Sequence, residues 1–348
     1  MLPFYANTHT TATATSARTT AFRDQARGLI RNAVGAGDLD AVIFTGQGVT
    51  AAVHKLVAAL CIRELAFAAA ADADHPAGHP AGHPVTTPAM GAAAAAAAAG
   101  SGATGTRRLP PVVVVGPWEH HSNILPWRDA GAIIVRSPEG PDGNVDMVGL
   151  DRILQAHRGA PVVVGAFAAA SNVTGLLADT DAITELLHTH GALAVWDYAT
   201  GGPYCDIIIN PVSELARKDA VLVSPHKFIG GVSSPGVLIA KKHMFRHRFP
   251  DQGGGGSVFF VTGEGHRYLQ DLETREEGGT PDIVGSIRAG LAFQLKAAVG
   301  PANIVAEELR LAAVAYGRLS SRPDVHVLGP PVAVADRLAV LSFQVTVL

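Results

Sequence analysis

Cysteine is scarce in this chain of 348 residues, which contains only Cys61 and Cys205. Two cysteines cannot form the disulfide framework that stabilises many small secreted domains. The cysteine content therefore favours a reducing compartment. A chain of 348 residues can bury a substantial apolar core, so it does not depend on disulfide bonds for stability.

Charge and long apolar runs are scarce as well. Asp, Glu, Lys and Arg make up 16% of the residues, and the formal net charge is −3, so no basic surface for nucleic acid is indicated. The apolar run Ala92–Ala99 is bracketed by glycines and falls well short of the roughly 18 residues that a membrane span needs. We therefore expect neither a nucleic-acid partner nor a membrane.

One segment, residues 68–106, is of low complexity and consists mostly of Ala, Gly, Pro, Thr and His. Such a composition argues against a packed element and predicts a disordered insertion. Three histidines spaced by four, at His75, His79 and His83, raise the alternative of a metal site. That spacing aligns ligands only on a helix, which the intervening prolines forbid. No metal site is therefore predicted.

Apolar runs alternate with helical patterns along the rest of the chain, which is typical of an α/β protein with a mostly parallel sheet. The runs that predict buried strands are Asp40–Phe44, Pro110–Val115, Pro161–Gly165, Ala192–Trp196 and Ala220–Val223. The helical patterns are Asp24–Val34, Gly48–Ala66, Asp146–Ala156, Asp181–His190, Val284–Val299 and Asn303–Ser320. In open α/β sheets, ligands bind outside the carboxyl ends of the strands.

Two strand ends carry an acid and a lysine. Asp197 follows one apolar run, and Lys227 follows the next after Ser224-Pro225-His226. A lysine in such a crevice can form a Schiff base, and a buried aspartate can keep a pyridinium nitrogen protonated. This pair suits pyridoxal phosphate. The alternative is an ordinary surface lysine paired with a strand-end acid.

The other strand ends add groups of matching chemistry. They lead into Glu119–Asn123, which contains two histidines, into Ser171–Gly175, which contains an amide, and into the glycine-rich turn Thr45–Thr50. Without further context, Gly46-Gln47-Gly48 could be a plain tight turn. A P-loop is excluded, because no Gly-Lys-Ser/Thr follows.

In this order, these segments resemble the class V aminotransferase and cysteine desulfurase family of fold-type I pyridoxal-phosphate-dependent enzymes. The matching stretches also include Pro126-Trp127 and Arg275–Pro281, and they extend from about Thr45 to about Gly300. The resemblance implies a fold-type I α/β architecture, with a mostly parallel sheet flanked by helices. It implies a cofactor-binding large domain at 1–300 and the start of a small C-terminal domain at 301–348.

The resemblance also implies roles around the cofactor. Lys227 would form the Schiff base, Asp197 would pair with the pyridine nitrogen, and His120 would stack on the ring, with His121 as the alternative. Asn172 is expected near the phenolic oxygen. Thr200 stands where the family commonly has glutamine; its side chain is shorter but can still donate a hydrogen bond.

Phosphate binding needs backbone N–H groups and hydroxyls at a helix N-terminus. The residues that the resemblance assigns to the phosphate are Gly48, Val49, Thr50, Ser224, His226 and Thr280. Thr280 belongs to a segment that reaches the phosphate from the partner subunit in the family, which implies a homodimer.

The function that the resemblance implies is cysteine desulfurase-like cleavage of a carbon–sulfur bond in an amino acid. The alternatives are an aminotransferase, another lyase, or a non-catalytic relative that keeps the fold. Cys61 and Cys205 do not occupy the position of the family's nucleophile, and we expect both to be small buried side chains.

The strand pattern Arg337–Val345 stands at the end of the sequence, where the family continues into a carboxylate-binding arginine and a cysteine loop. We therefore expect a fragment or an incomplete gene model with an incomplete small domain, the alternative being a naturally shortened protein. The Thr- and Ala-rich start of the chain faintly resembles a transit peptide. A loop beside the active site is the preferred interpretation, and with it a cytoplasmic location.

Overall fold

The computed structural model describes residues 5–8, 10, 12–74, 108–329 and 337–346. A seven-stranded sheet with the order β1-β7-β6-β5-β4-β2-β3 forms its centre. The strands are β1 (Asp40–Phe44), β2 (Val112–Val115), β3 (Ile133–Arg136), β4 (Val163–Ala168), β5 (Leu193–Asp197), β6 (Ala220–Val223) and β7 (Val237–Lys241). Strand β7 is antiparallel to β1 and β6, while the remaining pairs are parallel. The predicted α/β fold is confirmed.

Helices cover both faces of this sheet. They are α1 (Ala14–Ala33), α2 (Gly48–Ala59), α3 (Ile62–Asp74), α4 (Leu125–Asp129), α5 (Met147–Ala156), α6 (Thr180–Thr189), α7 (Leu272–Arg275), α8 (Ile283–Val299) and α9 (Pro301–Ser320). Side chains alternate along each strand, so Val112 and Val114 join one apolar cluster while Val113 and Val115 join the other. Burial on both faces explains why the strands read as continuous apolar runs.

The helix predicted over Gly48–Ala66 is interrupted. Helix α2 ends at Ala59, and Cys61 adopts a left-handed backbone conformation with φ +58° before α3 begins. Helix α3 then continues to Asp74, so the boundary predicted for the insertion at Ala68 is wrong. The rest of that predicted segment, 75–106, lies outside the described residues. Helix α1 begins well before the predicted Asp24, because the Thr13 side chain accepts a hydrogen bond from the Ser16 N–H and caps it.

Two small antiparallel ribbons complete the described elements. One joins β8 (Val258–Val261) to β9 (His266–Tyr268), and the other joins β10 (Val325–Val327) to β11 (Phe343–Val345). Only the last part of the predicted strand Arg337–Val345 is therefore a strand. No helix in the described ranges combines the length and the apolarity needed to cross a bilayer.

Strand β1 lies at an edge of the sheet, and carboxylates satisfy its outer N–H groups. Phe44 donates to Glu277 and Val42 donates to Glu273, both at 2.6 Å. Buried Arg23 and Arg27 in turn form ion pairs with Glu277, at 2.8 Å for Arg27 Nη1. We call Arg23, Arg27, Glu273 and Glu277 the edge cluster. It blocks further strand pairing at this edge, and it holds the buried Glu277 between two cations.

Candidate active site

A cavity of about 1360 Å³ opens at the carboxyl ends of the parallel strands. Every residue that the sequence assigns to the site lines this one cavity. These residues are Gly48, Val49, Thr50, His120, Asn172, Asp197, Thr200, Ser224, His226, Lys227 and Thr280. Thr280, which was expected from a partner subunit, lines the cavity of its own chain. The fold thus brings together groups from widely separated parts of the sequence.

Asp197 is a buried acid that lines the cavity. It ends β5, and its Oδ1 accepts a hydrogen bond from the Ala199 N–H at 2.7 Å. Burial raises the pKa of Asp197 to about 6, although this hydrogen bond and the charge of Lys227 act in the opposite direction. A cation placed against this carboxyl group would favour its ionised form.

Lys227 stands on a short 3₁₀ turn, Pro225–Lys227, that directly follows β6. Its backbone N–H donates to the Ser224 carbonyl at 3.0 Å, and its side chain is exposed to the cavity. The neighbouring His226 is exposed as well. The part of its ring that is buried, together with the charge of Lys227, lowers the pKa of His226. A primary amine and a buried acid therefore share one cavity.

The start of α2 packs tightly against the end of β6. Gly48 has φ +58°, and a Cβ atom there would lie 2.7 Å from His226 Cε1 and 2.9 Å from Ser224 Oγ. The Val49 N–H donates to Ser224 Oγ at 3.0 Å. Glycine is thus required at position 48 by both backbone conformation and space. The result is a cup at a helix N-terminus, the kind of site that receives anions.

His120 supplies an aromatic ring at the other side of the cavity. Its Nδ1 accepts from the Ser122 N–H at 3.2 Å, and its ring lies 4.1 Å from that of His121. Burial, then His121 and Lys227, lower the pKa of His120 below its usual value. Because Nδ1 accepts from Ser122, a neutral ring carries its proton on Nε2. Of the two histidines, His120 is the one that lines the cavity.

Glu119 begins one of the stretches singled out in the sequence, but the sequence predicts no role for it. Its carboxylate accepts from the Ala168 N–H at 2.7 Å and from Asn123 Nδ2 at 3.1 Å. Burial raises the pKa of Glu119 to about 7, and the charge of Asp197 adds to the increase. Because Glu119 joins the loop after β2 to the end of β4, it positions the adjacent His120.

Sequence reasoning also missed an ion pair in the cavity wall. Lys55 Nζ of α2 lies 3.3 Å from Glu276 Oε2, both side chains are buried, and both residues line the cavity. Lys55 follows the cup at the start of α2 by two helical turns, so it lies further along the same helix. No local pattern pairs two residues so far apart in the chain.

The fold and the cavity define an α/β protein with a ligand site at the carboxyl edge of its sheet. The family model for aminotransferase class-V matches residues 86–347, and the chain belongs to this family. A probable cysteine desulfurase of Halalkalibacterium halodurans is 32% identical over 222 residues, which are 63% of this chain and 52% of that protein. A cysteine desulfurase of Escherichia coli is 29% identical over 238 residues, 67% of this chain and 55% of that protein.

Solved structures agree on the fold. An apo cysteine desulfurase from Thermococcus onnurineus superposes with a TM-score of 0.74 at 20% identity, covering 100% of this chain and 74% of that one. A cysteine desulfurase from Escherichia coli superposes with a TM-score of 0.66 at 21% identity, covering 98% and 72% respectively. The chain spans about half the length of the curated relatives that it matches.

Proposed function

We propose that the cavity binds pyridoxal 5′-phosphate through Lys227 and that the protein acts as a cysteine desulfurase-like enzyme on an amino acid. One observation carries the proposal: the buried acid Asp197 and the exposed amine Lys227 lie at adjacent strand ends in one cavity. Membership of the aminotransferase class-V family and the similarity to cysteine desulfurases support it.

The residues present fit this cofactor. Asp197 is buried with a raised pKa, so the cationic nitrogen of a pyridine ring suits it electrostatically. The cup formed by Gly48, Thr50 and Ser224 suits a phosphate group, because it combines a helix N-terminus with two hydroxyl groups. The amide and hydroxyl of Asn172 and Thr200 line the cavity where they could contact the phenolic oxygen of the ring.

When bound, pyridoxal phosphate supplies an electron sink for a carbanion at the substrate Cα. The chain's own groups then have separate tasks. Lys227 Nζ would hold the cofactor covalently, and its amine, when free, would accept or return a proton. His120 would cover the ring and would offer its Nε2–H as a hydrogen-bond donor. Glu119 keeps the His120 loop fixed to the sheet.

The proposal extends to assembly and location. We propose a homodimer in which Thr280 also reaches the partner's phosphate, although Thr280 lines the cavity of its own chain. Mixed dimers of Lys227→Ala and Thr280→Ala subunits discriminate these arrangements. If Thr280 acts in trans, one site of each mixed dimer is intact and binds cofactor with wild-type affinity; if it acts in cis, neither site does. We further propose a cytoplasmic location, in keeping with the two free cysteines.

Substitution of the lysine tests cofactor binding. Reconstituted wild-type protein should absorb in the visible range of a lysine-bound cofactor, and borohydride should fix the label on the peptide that contains Lys227. Lys227→Ala should lose both signals completely. Lys242→Ala, which changes another exposed lysine directly after a strand, is the matched control and should retain them. Equal labelling of Lys227→Ala would contradict the assignment.

Product analysis tests the reaction. With cysteine as substrate and dithiothreitol present as the two-electron reductant, the full-length protein should form alanine and release sulfide, whereas an aminotransferase would form a keto acid. If the protein carries the cofactor at Lys227 but forms none of these products, the result would favour a non-catalytic relative.

A further inference from the structure

A second group of reactive side chains lies away from the cavity. Cys61 links α2 to α3, Glu64 is in the first turn of α3, and His247 is in the loop that follows β7. Cys61 Sγ lies 2.9 Å from His247 Nε2, and one ligand atom from each of the three residues lies within 4.8 Å of the others. We propose that Cys61, Glu64 and His247 bind a zinc ion, with water as the fourth ligand.

The three donors match the chemistry of zinc. Thiolate, imidazole and carboxylate are its usual protein ligands, at about 2.3, 2.0 and 2.0–2.2 Å respectively, and three of them leave one position open. Tetrahedral coordination separates a sulfur and a nitrogen ligand by roughly 3.5 Å. The 2.9 Å between Sγ and Nε2 therefore has to widen by about half an ångström, which a small rotation of the half-buried Cys61 side chain provides. The thiol proton leaves to water as the metal binds.

The backbone holds the two inner ligands in place. Cys61 has φ +58°, a backbone conformation that residues other than Gly seldom adopt. Its N–H donates to the Ala58 carbonyl, and its carbonyl accepts from the Leu65 N–H, both at 3.0 Å. The loop of His247 is tied to the same turn, because the Arg246 N–H donates to the Ala59 carbonyl at 3.2 Å.

The imidazole presents one particular nitrogen to the group. His247 stacks on Phe249 with 4.4 Å between ring centroids, and its Nδ1 is buried without a hydrogen-bond partner. Nε2 is therefore the atom that faces the thiol and would coordinate the metal. Glu64 is exposed at the rim, so an ion can enter from solvent.

This group is separate from the cofactor cavity. Cys61 follows the C-terminal end of α2, whereas Gly48 begins that helix at the phosphate cup. At 1.5 Å per residue, the two ends of α2 are about 18 Å apart. Cys61 and His247 are distant in sequence, and no spacing rule pairs them, which is why no metal site is predicted from the sequence. The competing explanation is a simple hydrogen bond between thiol and imidazole.

Cobalt(II) titration of the full-length protein distinguishes the two. We expect saturation at one equivalent with a thiolate-to-cobalt charge-transfer band in the near ultraviolet, displaced by zinc. Cys61→Ser and His247→Gln should lose this band, and Glu64→Gln should bind more weakly while keeping it. Cys205→Ser, which removes the other cysteine, is the matched control and should show the wild-type band.

The histidine-rich segment needs its own control, because imidazoles alone can bind cobalt. Replacement of His75, His79 and His83 by Ala should leave the charge-transfer band unchanged. Zinc should also raise the melting temperature of wild type and Cys205→Ser but not of Cys61→Ser. A cooperative melting transition of Cys61→Ser without this rise would show that the variant is folded and has lost the site. Cobalt bound without a thiolate band, or a band that persists in Cys61→Ser, would overturn the proposal.

Discussion

Asp197 and Glu277 are both buried carboxylates at the central sheet, yet their environments shift their pKa values in opposite directions. Burial raises the pKa of Asp197 to about 6. Burial alone would also raise the pKa of Glu277, but the hydrogen bonds and charge of Arg27, together with the charge of Arg23, outweigh it and lower the pKa. The opposite pKa shifts therefore come from the charged neighbours of the two carboxylates and not from how deeply the carboxylates are buried.

The comparison separates an acid that the chain itself neutralises from one that it leaves uncompensated. The edge cluster supplies Glu277 with two cations from the chain itself, and the carboxylate in turn accepts from the edge strand at Phe44. Asp197 has no comparable partner among the described side chains, since Lys227 acts only at longer range. A buried acid whose charge the chain leaves uncompensated suits a cation that comes from outside.

The largest effect is expected for Glu277→Gln. The substitution leaves buried Arg23 without its carboxylate partner and leaves Arg27 with only Glu273, at 3.7 Å. This should reduce the free energy of unfolding by about 3–5 kcal/mol. Urea denaturation measures this. Glu307→Gln, which removes an exposed partner of Arg310, is the control and should change stability little. A similarly small change in Glu277→Gln would mean that the edge cluster does not stabilise the fold.

Asp197→Asn should have the opposite effect on the cofactor-free protein. The folded-state pKa of Asp197 is raised to about 6, so below the unfolded value near 4 the group is neutral in both states and costs nothing. As pH increases from about 4 to about 6, only the unfolded chain ionises, and stability is lost. The loss amounts to about 3 kcal/mol above pH 6.

The measurement is the difference in unfolding free energy between Asp197→Asn and wild type as a function of pH. The variant should become increasingly more stable than wild type between about pH 4 and pH 6, and the difference should then stay constant. With the cofactor bound, the variant should keep the cofactor but lose most turnover, because the ring nitrogen loses its ionic partner. A pH-independent difference would show that Asp197 is not desolvated.

The sequence predicted the cavity well because strand ends are easily recognised. Asp197 and Lys227 follow continuous apolar runs, and parallel strands place their carboxyl ends at the same edge. The order of the motifs then assigned the other candidate site residues, and the structure brings them together in one cavity.

Long-range pairing and unusual backbone conformations could not be predicted. Glu276 pairs with Lys55 across more than 200 residues, and such a contact exists only in the folded chain. The break at Cys61 carries no sequence signal, because left-handed helix ends usually have Gly or Asn. The role of Glu119 depends on its hydrogen bond to Ala168 of another strand.

The smallest expected effect concerns the cup proposed to bind phosphate and uses two glycines with similar backbone conformations. Gly48 has φ +58° and Gly35 has φ +64°, so alanine at either position should cost about 1–2 kcal/mol of stability. At Gly35 nothing lies within 4 Å of the added Cβ, whereas at Gly48 it would meet His226 and Ser224. Gly48→Ala should therefore also displace these two side chains and weaken cofactor affinity by about tenfold. Gly35→Ala should keep wild-type affinity. Fluorescence titration with pyridoxal phosphate measures both, and equal affinities in the two variants would show that the contact between the start of α2 and the end of β6 does not shape the phosphate site.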